Sequence, residues 1–164
     1  MTAPLRHVAS VPVLRRYLGR LAHLVDLADA ADRPELFDAR LAPDMLPFHL
    51  QVEVACNFAM RIAFPLAGLP VPPYGDEPPT AAGLRARIDR VASLIATLDP
   101  AAFAVDRTVH DNAGHARLAL GADEFLFQYA LPNFFFHTGA AYHILRQQGL
   151  AVGKASYDGY HVYD

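Results

Sequence analysis

The residues best suited to chemistry in this chain are histidines, and the most telling is His137. It closes the run Leu131-Pro132-Asn133-Phe134-Phe135-Phe136-His137 and leads into Thr138-Gly139-Ala140-Ala141-Tyr142-His143-Ile144-Leu145-Arg146. An imidazole titrates near physiological pH and can serve as base, hydrogen-bond acceptor or metal ligand. Beside three phenylalanines it is either a satisfied core residue or the centre of a site. On a helix it shares a face with Phe134, Ala141, Ile144 and Leu145, which points it inward, and desolvation there disfavours the charged ring. A second group, His49, Glu53 and Asn57, repeats at four-residue intervals and so stacks along one flank of a helix. Should that polar ladder aim into the interior opposite His137, two imidazoles and a carboxylate would make a catalytic zinc set or activate a water. The alternative is a solvated pair one turn apart.

These residues sit on elements that the apolar spacing defines. Leu14, Tyr17, Leu18, Leu21, Leu24, Val25 and Ala28 trace one helical stripe, with Ser10 placed as N-cap and Pro12 in the first turn. A short turn of helix is expected over 35–40. Ala42 to Pro47 leads into a second helix, with Asp44 as cap and Arg40 paired to it or to a loop carboxylate. Its stripe is Met45, Phe48, Val52, Cys56, Ala59, Ala63 and Leu66, with Pro65 kinking the last turn and Gly68 ending it. Five prolines over 69–79 exclude helix and suit a crossover along the end of a bundle. Thr80 caps a third helix on Leu84, Ile88, Val91, Ile95 and Leu98. Thr108–His110 and His115–Leu120 read as strands around an Asp111–Gly114 turn. A fourth helix spans Ala122–Gln148, locally broken at Pro132 and stopped by Gly149. The tail carries Tyr157, Tyr160 and Tyr163 without a period. The pattern predicts a single all-α domain over residues 1–164. It is an antiparallel four-helix bundle with a Pro-rich crossover between helices 2 and 3 and a short β-hairpin before helix 4.

Composition narrows the partners. With 53% hydrophobic and 19% charged residues, a net charge of −3 and one lysine, Lys154, no basic face exists for nucleic acid. No apolar run reaches the ~18–20 residues of a membrane span. One cysteine, Cys56, reads as a buried small hydrophobe in a reducing setting, so a cytoplasmic protein is expected. Phe135, Phe136 and Tyr142 cannot all face one side of a helix, which points to packing on the tail, the hairpin or a second copy, hence a homodimer. His143 falls with Phe136 and Gly139 and suits such a surface. His23, His110, His115 and His161 show no metal spacing.

Ser10-Val11-Pro12-Val13, Arg40-Leu41-Ala42-Pro43-Asp44-Met45, and Leu131 to His137 with Ala141-Tyr142, Ile144-Leu145-Arg146 and Gly149 carry a family likeness over about residues 8–159. The chain resembles an uncharacterised bacterial domain-of-unknown-function family of the DinB/YfiT-like superfamily. The resemblance implies a four-helix bundle, often dimeric. It also implies metal-dependent transferase or hydrolase chemistry on a divalent ion, zinc or nickel, held by one histidine of helix 2 and a His-x-x-x-His pair of helix 4. Here the pair is incomplete: Ala141 follows His137 by four residues and Asn133 precedes it by four. His143 lies six positions on, about 600° around the helix, so the two rings point about 120° apart. Two functions stay open. One is a small-molecule enzyme using His49, Glu53 and His137; the other is a non-catalytic dimeric ligand-binding or interaction module.

Overall fold

The computed structural model describes residues 2–162, so Tyr163 lies outside the described residues. After a four-residue turn, α1 (Leu5–Val8), the first long helix α2 runs Val11–Ala30 and buries Val11, Leu14, Leu18, Leu21, Leu24, Val25 and Ala28. Ser10 does not cap it. Its hydroxyl donates to the Arg6 carbonyl at 2.5 Å, because α1 stands directly before α2 and offers the nearer acceptor. A 3-10 turn follows at Pro34–Asp38.

The second long helix, α3, begins at Phe48, not at Asp44. Pro47 forces the residue before it out of the helical region and itself stands extended, so 42–47 stay a turn. Asp44 is exposed, and Arg40 donates to the Met45 carbonyl instead of to a carboxylate. From Phe48 to Leu66 the helix is buried on nearly every side. It ends where Gly68, at φ 76°, lets the Leu69 N–H reach back to the Phe64 carbonyl at 2.9 Å.

The proline-rich crossover leads to α4 (Ala81–Ala96), whose Thr80 side chain caps the Gly83 N–H at 3.2 Å. Leu84, Arg87, Ile88, Val91 and Ile95 are buried along it. A 3-10 turn at Pro100–Ala104, capped by Asp99, precedes the hairpin of β1 (Thr108–Ala113) and β2 (Ala116–Gly121). Pairing runs from Thr108↔Gly121 to Ala113↔Ala116, so the turn is only Gly114-His115, shorter than the spacing predicts. Gly114, at φ 59°, supplies the left-handed residue that so tight a turn needs.

The last long helix is continuous but not uniform. It opens with α5 (Ala122–Glu124), widens to a π-turn over Phe125–Ala130, and continues as α6 (Leu131–Gln147). Pro132 explains the widening: it has no N–H for the carbonyl four residues back, and its ring would collide with that carbonyl in a regular α-helix. Beyond Gly149, a short helix α7 (Lys154–Asp158) folds back on α2. Arg20 donates to the Ser156 carbonyl at 2.7 Å and Arg16 to the Asp158 carbonyl at 2.8 Å, fastening its C-terminal end. The long helices pack α2 on α4 and α6, and α3 on α4 and α6, around one core. The protein is mostly helical with one two-stranded antiparallel sheet.

Candidate functional site

Two residues along a helix turn a side chain by about 200°, so Gln51 and Glu53 leave α3 on opposite flanks. Gln51 belongs to the seam Phe48, Gln51, Ala55, Phe58, Ile62, all buried, and faces α6. Its amide is 1% exposed and makes two bonds. Nε2 donates to the Leu46 carbonyl at 3.1 Å, and Oε1 lies 2.7 Å from Nδ1 of His137. The first bond fixes the orientation of the amide, since a carbonyl can only accept. Oε1 therefore meets the imidazole, and Nδ1 must carry the hydrogen. That leaves Nε2 as the ring's acceptor, and no other hydrogen bond to the ring occurs among the described residues. Phe58 stacks on the imidazole at 5.7 Å and 23°, and Phe136 meets it edge-on at 5.1 Å. Burial lowers the pKa of His137 from its ordinary value, and the positive charge of Arg61 adds to the effect. These surroundings favour the neutral ring, in the tautomer with its hydrogen on Nδ1.

The neighbouring positions are spoken for. Asn133 stands where a His-x-x-x-His pair would begin, and its amide donates to the Tyr129 carbonyl at 2.7 Å inside the π-turn. Arg61 lies over Phe58 at 4.4 Å and bonds Asp111 at 2.7 Å, the Asn112 carbonyl at 2.9 Å and the Tyr129 hydroxyl at 3.2 Å. The hairpin is thereby tied to α3 and to the last helix.

Glu53 faces α4. His49 Nδ1 lies 3.3 Å from Glu53, and its Nε2 lies 3.6 Å from Asp38. Glu53 in turn lies 3.5 Å from Arg87, which is 3.4 Å from Glu77 and donates to the Tyr74 carbonyl at 3.0 Å. Arg87 is 4% exposed. Asn57 Oδ1 and Arg87 Nε are buried without partners among the described residues. The structure thus brings His49 and Glu53 together and sets His137 apart with Gln51. Among the described residues no group of three or more His, Cys, Asp and Glu side chains is placed to hold a metal ion. His49, Glu53 and His137 do not form one donor set, and the divalent ion that the resemblance implies does not fit them.

Sequence reasoning missed Gln51 and Arg87. Each is a polar residue in phase with an apolar stripe, Gln51 with Phe48 and Phe58, Arg87 with Leu84 and Val91. The remaining candidates disperse. His143 is exposed against Tyr142, His110 and His115 are exposed on the hairpin, and His161 lies 2.5 Å from Asp158. Cys56 is buried, which pushes its thiol up to about 12. Phe135 packs on Tyr17 at 4.9 Å and Tyr142 on Tyr157 at 5.8 Å, while Phe136 remains 57% exposed.

The protein is thus mostly helical, with an imidazole held between two of its long helices. Residues 7–158 match the family described as Domain of unknown function (DUF1993), and the chain belongs to that family. It is also similar to a crystal structure of a DinB family member protein from Shewanella denitrificans. The TM-score is 0.83 at 31% identity, over 98% of this chain and 94% of that one. No protein of curated function matches the chain.

Proposed function

We propose that the protein is a four-helix bundle of the DinB-like type that binds a small molecule at the α3–α6 seam. His137 Nε2 is the recognising atom, and no resident metal takes part. The observation that supports this reading is the relay from the Leu46 carbonyl through Gln51 to His137. It selects the tautomer in which Nε2 accepts, and desolvation keeps the ring in that neutral form. A ligand hydroxyl or N–H can then donate to Nε2. His49 and Glu53 belong, in this reading, to the scaffold that holds the crossover through Arg87. The assembly is a homodimer with Phe136 in the contact, in the cytoplasm, where the buried Cys56 stays reduced.

Nitrogen-detected NMR of the His137 ring tests the proposal. Nε2 should be unprotonated at pH 7, and fragments bearing a hydroxyl or N–H donor should shift it in wild type but bind no longer to His137→Leu. Stoichiometric zinc or nickel held by the wild type and lost in His137→Ala would overturn the reading in favour of a metal-dependent enzyme.

A further inference from the structure

A cleft of about 350 Å³ opens between α6 and α7, on a face of α6 about 200° around from His137. Phe135, Tyr142 and Tyr157 wall it, and His143 and Lys154 stand at it. The volume lies within the range of small-ligand pockets. The walls are braced from behind: Tyr17 meets Phe135 at 4.9 Å and Tyr157 at 5.4 Å, and Arg20 holds the carbonyls of α7. The Tyr157 hydroxyl lies 3.3 Å from that of Thr138, a hydroxyl that is itself buried. With its polar end engaged there, Tyr157 gives the cleft its ring.

Two further features indicate an occupant. Gly139 lies in the middle of α6, where helix propensity disfavours glycine, yet a Cβ built on it would meet nothing within 4 Å. Close packing therefore does not require glycine there; its absent side chain leaves the floor of the cleft open. The second is charge. The chain's one lysine stands at this cleft with no ion-pair or hydrogen-bond partner among the described residues, and no carboxylate lines it.

We propose that this cleft binds a small planar aromatic carboxylate, its ring between Phe135, Tyr142 and Tyr157 and its carboxylate on Lys154. Aromatic walls favour a flat π-system, and an ammonium favours an anion that it can reach through charge-assisted hydrogen bonds. The site is separate from that of His137 and stands or falls without it.

Titration calorimetry with 2-naphthoate tests it. One molecule should bind per chain, unchanged in His137→Leu. Lys154→Gln should weaken binding about tenfold or more, the scale of one charge-assisted contact, and Lys154→Arg should largely restore it. Gly139→Leu, whose Cβ has no neighbour within 4 Å and whose remaining atoms would fill the cleft, should fold as the wild type by circular dichroism and abolish binding. No saturable binding to folded wild type would overturn the proposal, as would equal affinity for the neutral 2-naphthamide or indifference to Lys154→Gln and Gly139→Leu. A wild-type dimer that Gly139→Leu converts to a monomer would make the cleft a subunit contact and overturn it too.

Discussion

Replacing Gln51 by leucine tests the relay that orients His137. The side chain is 1% exposed, so the change removes two hydrogen bonds without opening a large cavity. The Leu46 carbonyl belongs to an exposed residue and can regain water, so its loss counts for little. The Nδ1–H of His137 faces the seam beside Phe58 and loses its only acceptor among the described residues. A donor stranded in this way costs ~1–3 kcal/mol, so Gln51→Leu should destabilise by ~2 kcal/mol. For a chain of this size that lowers the melting temperature by ~4–8 °C. His137→Leu strands only the Gln51 carbonyl oxygen, and the double replacement leaves neither group behind. Urea unfolding of the four proteins should therefore give a coupling of ~1–2 kcal/mol, with the double variant less destabilised than the two singles predict. Additivity within ~0.5 kcal/mol would refute the relay, and with it the assignment of Nε2 as acceptor.

The depressed pKa of His137 gives a pH signature. An unfolded imidazole titrates near ~6.5, so below that pH the unfolded chain takes up a proton that the native ring declines, and stability falls towards the lower native value. His137→Leu should remove that part of the slope in the urea midpoint; an identical slope in both proteins would count against burial of the ring. Arg87→Leu removes the cation beside Glu53 and one donor to the Tyr74 carbonyl, while Glu77 keeps Arg90, so it should cost ~1–3 kcal/mol, with the crossover becoming more open to limited proteolysis; an unaltered melting temperature would deny the tether. Light scattering should report a homodimer that Phe136→Ser weakens, and a monomeric wild type at high micromolar concentration would reject the subunit contact.

The long helices were legible because each buries a stripe with helical period. Leu14 to Ala28 and Leu84 to Ile95 sit in the core as their spacing predicts. Local signals fared worse where a neighbour offered a better partner. Ser10 turns back to the carbonyl of Arg6, and Asp44 is cut off from its helix by Pro47. The five residues of α7 are too short to carry a period, so the fold-back of the tail was invisible. At the candidate site, the incomplete His-x-x-x-His pattern and the inward face of His137 could be read directly. Its partner could not: one sequence does not tell which of several polar residues on α3 meets which helix. Gln51 and Glu53, two positions apart, face different neighbours.

The π-turn at Phe125–Ala130 has a consequence for how the last helix can change. A π-turn holds one residue more than the α-turn it replaces, which is what a single inserted amino acid leaves behind when the flanking helix keeps its register. In a regular helix, one residue more or fewer would rotate everything beyond it by about 100° and carry His137 out of reach of Gln51. Here the surplus is already confined to one turn, so α6 keeps its face whatever happened upstream. The same turn could lose that one residue, with Pro132 replaced by a residue that has an N–H, and return to a plain α-helix without disturbing the seam. Length variation among relatives should therefore collect at 125–130, where losing one position leaves the faces of α6 in place.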